Sequence, residues 1–145
     1  MTEYLDTDLL PLLESKMIVR TCLLITDDPD DHQAFSEALS EISAKTIVLI
    51  VLDSEKALDL LKAKQLTPHF IFLDLSTNGM RINTFLKTVE TDTELRQIPI
   101  VVYGDAQSVD KLDRSDGVVF FTKDYEYSEL RSFLKELVKP PMDIQ

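Results

Sequence analysis

At 145 residues the chain is sized for one domain with a real core, and its 44% hydrophobic and 28% charged residues are ordinary for a globular protein. A net charge of −11 argues against nucleic-acid binding through phosphates, the longest apolar run (47–52) is too short to span a bilayer, and the acidic first residues show no basic region of a secretory signal. The single cysteine, Cys22, rules out an internal disulfide and makes the cytoplasm the default location.

Residues 1–16 carry Leu9, Leu10, Leu12 and Leu13, with Asp8 placed as a cap and Pro11 in the first turn. They outline a short extra helix; the alternative is that Met17 is the true start. Five apolar runs follow, at 22–25, 47–52, 70–73, 98–103 and 118–121. They are near-continuous rather than alternating, the pattern of strands buried on both faces of a parallel sheet.

Helical spacing fills the gaps. After the first run, Asp28 and Pro29 open a helix whose apolar face is Phe35, Ala38, Leu39 and Ile42. Asp28, Asp30 and Asp31 complement the positive end of its dipole. Asp53 or Ser54 caps the next helix, marked by Ala57, Leu58 and Leu61. Ile82, Phe85, Leu86 and Val89 mark a third. Between the fourth and fifth runs, 105–117 offers only Val109 and Leu112 as large apolar residues among Asp105, Asp110, Asp113 and Asp116, so a short or poorly ordered helix is predicted there. Leu130, Phe133, Leu134 and Leu137 form the last helix, which Lys139-Pro140-Pro141 ends. Strands alternating with helices predict an α/β fold with right-handed crossovers. The expected division is an extension at 1–20, a domain at 21–139 and a short tail at 140–145.

Chemistry concentrates at the carboxyl ends of the strands. Asp74 closes the run 70–73, Asp27 and Asp28 follow 22–25, and Thr122-Lys123 follows 118–121. Ligands of open parallel sheets bind beyond these ends, where strand order reverses. Two acids and a lysine delivered there suit a hard cation and a phosphoryl group. His32 and His69 lack ligand spacing and read as structural or solvated. Cys22 reads as an inert core thiol.

The stretches Leu23-Leu24-Ile25-Thr26-Asp27-Asp28, Pro68-His69-Phe70-Ile71-Phe72-Leu73-Asp74, Ile98-Pro99-Ile100-Val101-Val102 and Phe120-Phe121-Thr122-Lys123 occur in order at characteristic spacing. Together they resemble the receiver domain of two-component response regulators, over about residues 20–138. The resemblance implies a flavodoxin-like, doubly wound sheet of order 2-1-3-4-5. It implies that Asp74 is the phosphoacceptor, taking a phosphoryl group from a histidine kinase or phosphotransfer protein. It implies Mg²⁺ on Asp27, Asp74 and the backbone carbonyl of Ser76, with Lys123 paired to the phosphate or to Asp74. Thr26, Asp28 and Gly104 border that set.

Several residues depart from the family pattern. Receivers carry adjacent acids after the first strand; here Thr26 takes the first place and Asp27 the second, which lowers the expected Mg²⁺ affinity. The family's hydroxyl after the fourth strand is replaced by Gly104, which weakens the expected coupling of phosphate to the fold. Asp124 stands where receivers have a proline after the lysine, and Thr77-Asn78-Gly79-Met80 lacks the proline after the acceptor. Phe120 sits where receivers place an aromatic that moves with the switch; a plain core phenylalanine is the alternative. Tyr125 and Tyr127 could form a partner surface.

The expected function is that of a single-domain, non-enzymatic response regulator in a phosphorelay, signalling by contact with a downstream protein, with no nucleic-acid or membrane partner. The alternative is a degenerate pseudo-receiver, a protein-binding module independent of phosphorylation. A flavodoxin-like redox protein fits less well: the first strand turn has no Gly/Ser/Thr-rich phosphate loop, and the chain has three glycines.

Overall fold

A computed structural model describes residues 20–42, 45–77, 79–105, 118–122 and 126–137. The apolar runs are strands β1 (Arg20–Ile25), β2 (Thr46–Val51), β3 (Phe70–Asp74), β4 (Ile100–Gly104) and β5 (Val118–Thr122). All pair in parallel, in the order β2-β1-β3-β4-β5. This is the doubly wound order expected from the resemblance. The helices are α1 (Pro29–Ile42), α2 (Ser54–Lys62), α3 (Ile82–Thr91) and α4 (Tyr127–Leu137).

Local chemistry sets the helix starts. Pro29 begins α1, and Asp28 Oδ1 accepts the Asp30 N–H at 2.9 Å. Asp53 caps α2 by accepting the Lys56 N–H at 2.7 Å, which decides between the two candidate caps. The fourth strand begins two residues later than the apolar run. Pro99 has no N–H to give a ladder, although its carbonyl accepts from Ile71 at 3.0 Å. A short 3₁₀ helix, Leu95–Gln97, precedes it and buries Leu95; helical periodicity gave no sign of so short a turn.

Strand alternation divides the core in two. Cys22, Leu24, Phe70, Phe72, Val101 and Tyr103 face α1 and α4, where they meet Phe35, Ala38, Leu39, Leu130 and Leu134. Leu23, Ile25, Ile71, Leu73, Ile100 and Val102 face α2 and α3, where they meet Ala57, Leu61, Phe85, Leu86 and Val89. Each amphipathic helix thus spends its apolar stripe on one face of a sheet apolar on both. Phe35 centres the first cluster, with its ring 5.1 Å from Phe72 and 5.5 Å from Tyr103. Phe120 is half-buried and packs against the second cluster. Gly79 takes a φ of 76°, turning the chain between β3 and α3 at little cost. No helix among the described residues is long and apolar enough to cross a membrane.

The extra helix at 1–16, the Met17 alternative, the weak helix expected across 105–117 and the proline tail fall outside the described residues, apart from Asp105. So do Asn78, Lys123, Asp124 and Tyr125.

Two outcomes follow from the first cluster. Phe35→Ala removes a fully buried ring with two aromatic neighbours and lowers unfolding free energy by about 3–5 kcal/mol in a denaturant titration. Burial pushes the Cys22 thiol from 9.0 up to about 12. The unfolded chain therefore loses that proton first, and stability falls as pH rises between these values, by up to about 1.4 kcal/mol per pH unit. Cys22→Ala should show a shallower alkaline slope over that window, whatever its stability at neutral pH.

Candidate functional site

The strand period of two places Thr26, Asp74 and Tyr103 in one row. β1 and β3 pair Leu24 with Phe72, so Thr26, just past the strand, comes level with Asp74. β3 and β4 pair Asp74 with Tyr103. All three project on the α1 side, at the carboxyl ends of adjacent strands. The strand order reverses between β1 and β3, so Asp74 lies at the topological switch point.

Asp74 is fully buried, and its carboxylate is hydrogen-bonded on both oxygens. Thr26 Oγ1 donates to Oδ2 at 2.6 Å, the short range of a bond onto a charged acceptor. The Ser76 N–H and Oγ donate to Oδ1 at 2.9 and 2.8 Å. Thr26 is itself fixed from two sides. Its hydroxyl accepts the Asp28 N–H at 3.1 Å, and its carbonyl oxygen meets His32 Nε2 at 2.8 Å. A carbonyl only accepts, so His32 is protonated on Nε2. His69 Nδ1 accepts the Thr21 N–H at 3.0 Å, far from this site. Both histidines have structural partners.

Asp27 is exposed, and its N–H is 3.3 Å from Thr77 Oγ1, which ties the β1 and β3 loops together. Asp28 is half-buried and serves the α1 cap. Lys123 lies outside the described residues. Among the described residues, no group of three or more His, Cys, Asp or Glu is arranged to hold a metal ion. The expected Mg²⁺ set is smaller: two carboxylates and a carbonyl, completed by waters and phosphate oxygens. Hard oxygens of the right kind are present in Asp27, Asp74 and Ser76. Thr26, however, adds a hydroxyl donor at the position where the resemblance implies the first of two adjacent acids.

Gly104 contributes no side chain, and its packing shows why. A Cβ there would lie 2.9 Å from Leu75 Cβ, an atom fixed to the backbone that no rotamer change removes. The residue after Asp74 and the residue ending β4 occupy the same space.

Two functional-site residues were missed by sequence reasoning. Asp31 is only 5% exposed, and its Oδ2 accepts the Tyr103 hydroxyl at 3.0 Å. Read from sequence, Asp31 was one of several acids at a helix start and Tyr103 the end of an apolar run. The strand period offered the signal: Tyr103 shares parity with Val101, which faces α1. Burial first, then Asp31 and Asp74, pushes the Tyr103 hydroxyl well above its ordinary value, so it stays a neutral donor.

No protein-family model and no curated protein sequence matches the chain. Solved structures do. The bacteriophytochrome response regulator RtBRR is 26% identical, covering 83% of this chain and 79% of its own, with a TM-score of 0.68. A two-component response regulator from Legionella pneumophila is 26% identical, covering 83% and 99%, with a TM-score of 0.67. The chain has the receiver fold of these response regulators. A phosphorylated cyanobacterial phytochrome response regulator, RcpA, shares the fold at 23% identity over 83% of this chain and 91% of its own, with a TM-score of 0.66. Within the receiver frame, Thr26 and Gly104 are substitutions that sit directly on either side of Asp74's strand.

In this receiver, Gly104→Ala forces Leu75 and the β3 loop apart. Its unfolding free energy should drop by about 1–3 kcal/mol, the range for overpacking, measured by thermal or denaturant unfolding.

Proposed function

We propose that this receiver accepts a phosphoryl group on Asp74 from a histidine kinase or phosphotransfer protein, and signals by protein–protein contact rather than by turnover of a substrate. The observation that carries the reading is the position of Asp74 at the end of β3, beside β1 at the switch point, with Thr26 and Ser76 donors aimed at its carboxylate. An Asp74 oxygen attacks phosphorus and forms the acyl phosphate. The phosphorus–nitrogen bond of the donor's phosphohistidine breaks, and the imidazole nitrogen keeps the electron pair. Asp27, Asp74 and the Ser76 carbonyl would hold Mg²⁺, which when bound offsets the charge between the carboxylate and the incoming phosphoryl group. Lys123 would pair with the phosphate or Asp74. The net charge of −11 disfavours nucleic acid as a partner.

A second reading has its own support. Asp74 is fully buried, and Thr26 occupies its Oδ2 with a short bond. A domain held in this arrangement would bind its partner without phosphorylation.

Acetyl phosphate with Mg²⁺ separates the two. Intact-mass analysis should show one phosphoryl adduct on the wild type and none on Asp74→Asn. No adduct at millimolar acetyl phosphate and excess Mg²⁺ would overturn the phosphoacceptor reading in favour of the second.

The metal assignment has a separate check. Thr26→Asp sets a second carboxylate against Asp74 in a fully buried site, where like charges in contact oppose folding. The variant's melting temperature should fall in metal-free buffer and recover with Mg²⁺, by more than the wild type gains. Equal Mg²⁺ responses would place the metal away from Thr26.

A further inference from the structure

β2 closes one edge of the sheet: among the described residues it pairs with β1 alone. Along a strand of a parallel sheet, alternate residues turn their N–H and C=O groups to opposite sides. The Lys45 and Val51 carbonyls accept from the Arg20 and Thr26 N–H groups of the β1 side, so the odd-numbered residues of β2 bond to β1. Thr46, Val48 and Ile50 therefore turn theirs outward, as a row of donors and acceptors matched to a further strand.

Proteins ordinarily blunt such an edge with a charge, a proline, a bulge or a covering element. Among the described residues β2 has none of these. Residues 46–52 contain no charge and no proline, and the strand keeps an unbroken register with β1. Both faces are open at the edge. Ile47, on the α2 side, is 49% exposed, and Ile50, on the α1 side, is 38% exposed. Neither α1 nor α2 therefore reaches over the edge.

Charge selects the occupant. The chain carries −11 overall, so copies repel over much of their surface but not along an uncharged strip. The strip is bounded by Lys45 and Asp53, both exposed and placed symmetrically about Leu49. Antiparallel pairing with a second β2, about a two-fold axis at Leu49, sets Lys45 of each copy opposite Asp53 of the other. The same register sets Val48 opposite Ile50 of the second copy. Both are outward-turned residues, so each such pair exchanges two main-chain hydrogen bonds. Ile47 falls opposite Val51 and gains an apolar neighbour on its own face. Backbone direction, apolar cover and charge agree on one register.

We propose that this receiver forms a two-fold dimer through β2, which joins the two five-stranded sheets into one, with Lys45 and Asp53 paired at both ends of the seam. The patch is self-complementary, as a closed two-fold interface requires. Asp74 lies on β3, with β1 between it and the seam, so the dimer does not depend on phosphorylation. The two Asp74 sites lie at opposite ends of the joined sheet.

The test is sedimentation equilibrium on the full chain, with the register read by cross-linking. The wild type and Asp74→Asn should both sediment at twice the chain mass. Ile50→Lys, at an exposed position, should sediment as a monomer with an unchanged melting temperature. Lys45→Glu should also lose dimer, because it sets like charges opposite each other at both ends. Leu49→Cys meets its own copy on the axis in a non-hydrogen-bonded pair, where Cα atoms stand about 4.5 Å apart, within disulfide range. It should form a disulfide-linked dimer with oxidised glutathione, whereas Ile47→Cys, set opposite Val51, should not. Cys22 is buried and common to both variants. A wild type that stays monomeric at millimolar concentration overturns the proposal; slow amide exchange at Val48 and Ile50 in that monomer would mean that the chain covers its own edge. A dimer that survives Ile50→Lys, or that links through Ile47→Cys and not Leu49→Cys, overturns the β2 seam and moves the contact elsewhere, with β5 and its 44% exposed Val119 the next edge to probe. Loss of the dimer in Asp74→Asn overturns its independence of the phosphoacceptor.

Discussion

The hydrogen bond from Thr26 to Asp74 organises everything around it. A carboxylate with no exposure is tolerated only when its oxygens are satisfied, and the Thr26 bond at 2.6 Å satisfies one of them. That bond requires β1 and β3 to be adjacent and in register, which the long crossover through β2 provides. It also requires Thr26 to hold one rotamer, which the Asp28 N–H secures from the start of α1. The cap of a helix, the register of a sheet and the chemistry of a carboxylate meet in one hydroxyl group.

The consequence is a trade between charge and hydrogen bonding. An acid at position 26 would leave two carboxylates facing each other in a buried site. Threonine removes that repulsion and contributes a donor. At the far end of the row, Tyr103 donates a neutral hydroxyl to Asp31. Among the described residues, the α1 side of the sheet thus carries two buried acids, Asp31 and Asp74, each accepting from a hydroxyl.

Much of the architecture was legible in the chain. Near-continuous apolar runs such as Phe70-Ile71-Phe72-Leu73 leave a parallel, doubly covered sheet as the economical reading, and the 3.6-residue stripes at Phe35, Phe85 and Leu130 give each helix a buried face. Element ends were legible where a residue has one local option, as at Pro29 and Asp53. They were not legible at Leu95–Gln97, where a single 3₁₀ turn has no period to detect. In the site, Asp74 and Asp27 stood out because acids that end apolar runs mark strand ends.

Sequence by itself determined which residues are strand, which are helix face, and which polar groups arrive at the carboxyl edge of the sheet. These are properties of neighbours along the chain, fixed by periods of two and 3.6 residues and by capping chemistry. Only the tertiary structure decided which polar groups meet. Asp31 and Tyr103 are 72 positions apart, and Thr26 and Asp74 are 48. Gly104 read as a lost hydroxyl until its position against Leu75 Cβ showed a steric requirement. Such contacts depend on strand order and register, and these are set by how the two apolar faces of the whole sheet are covered, not by any local stretch of residues.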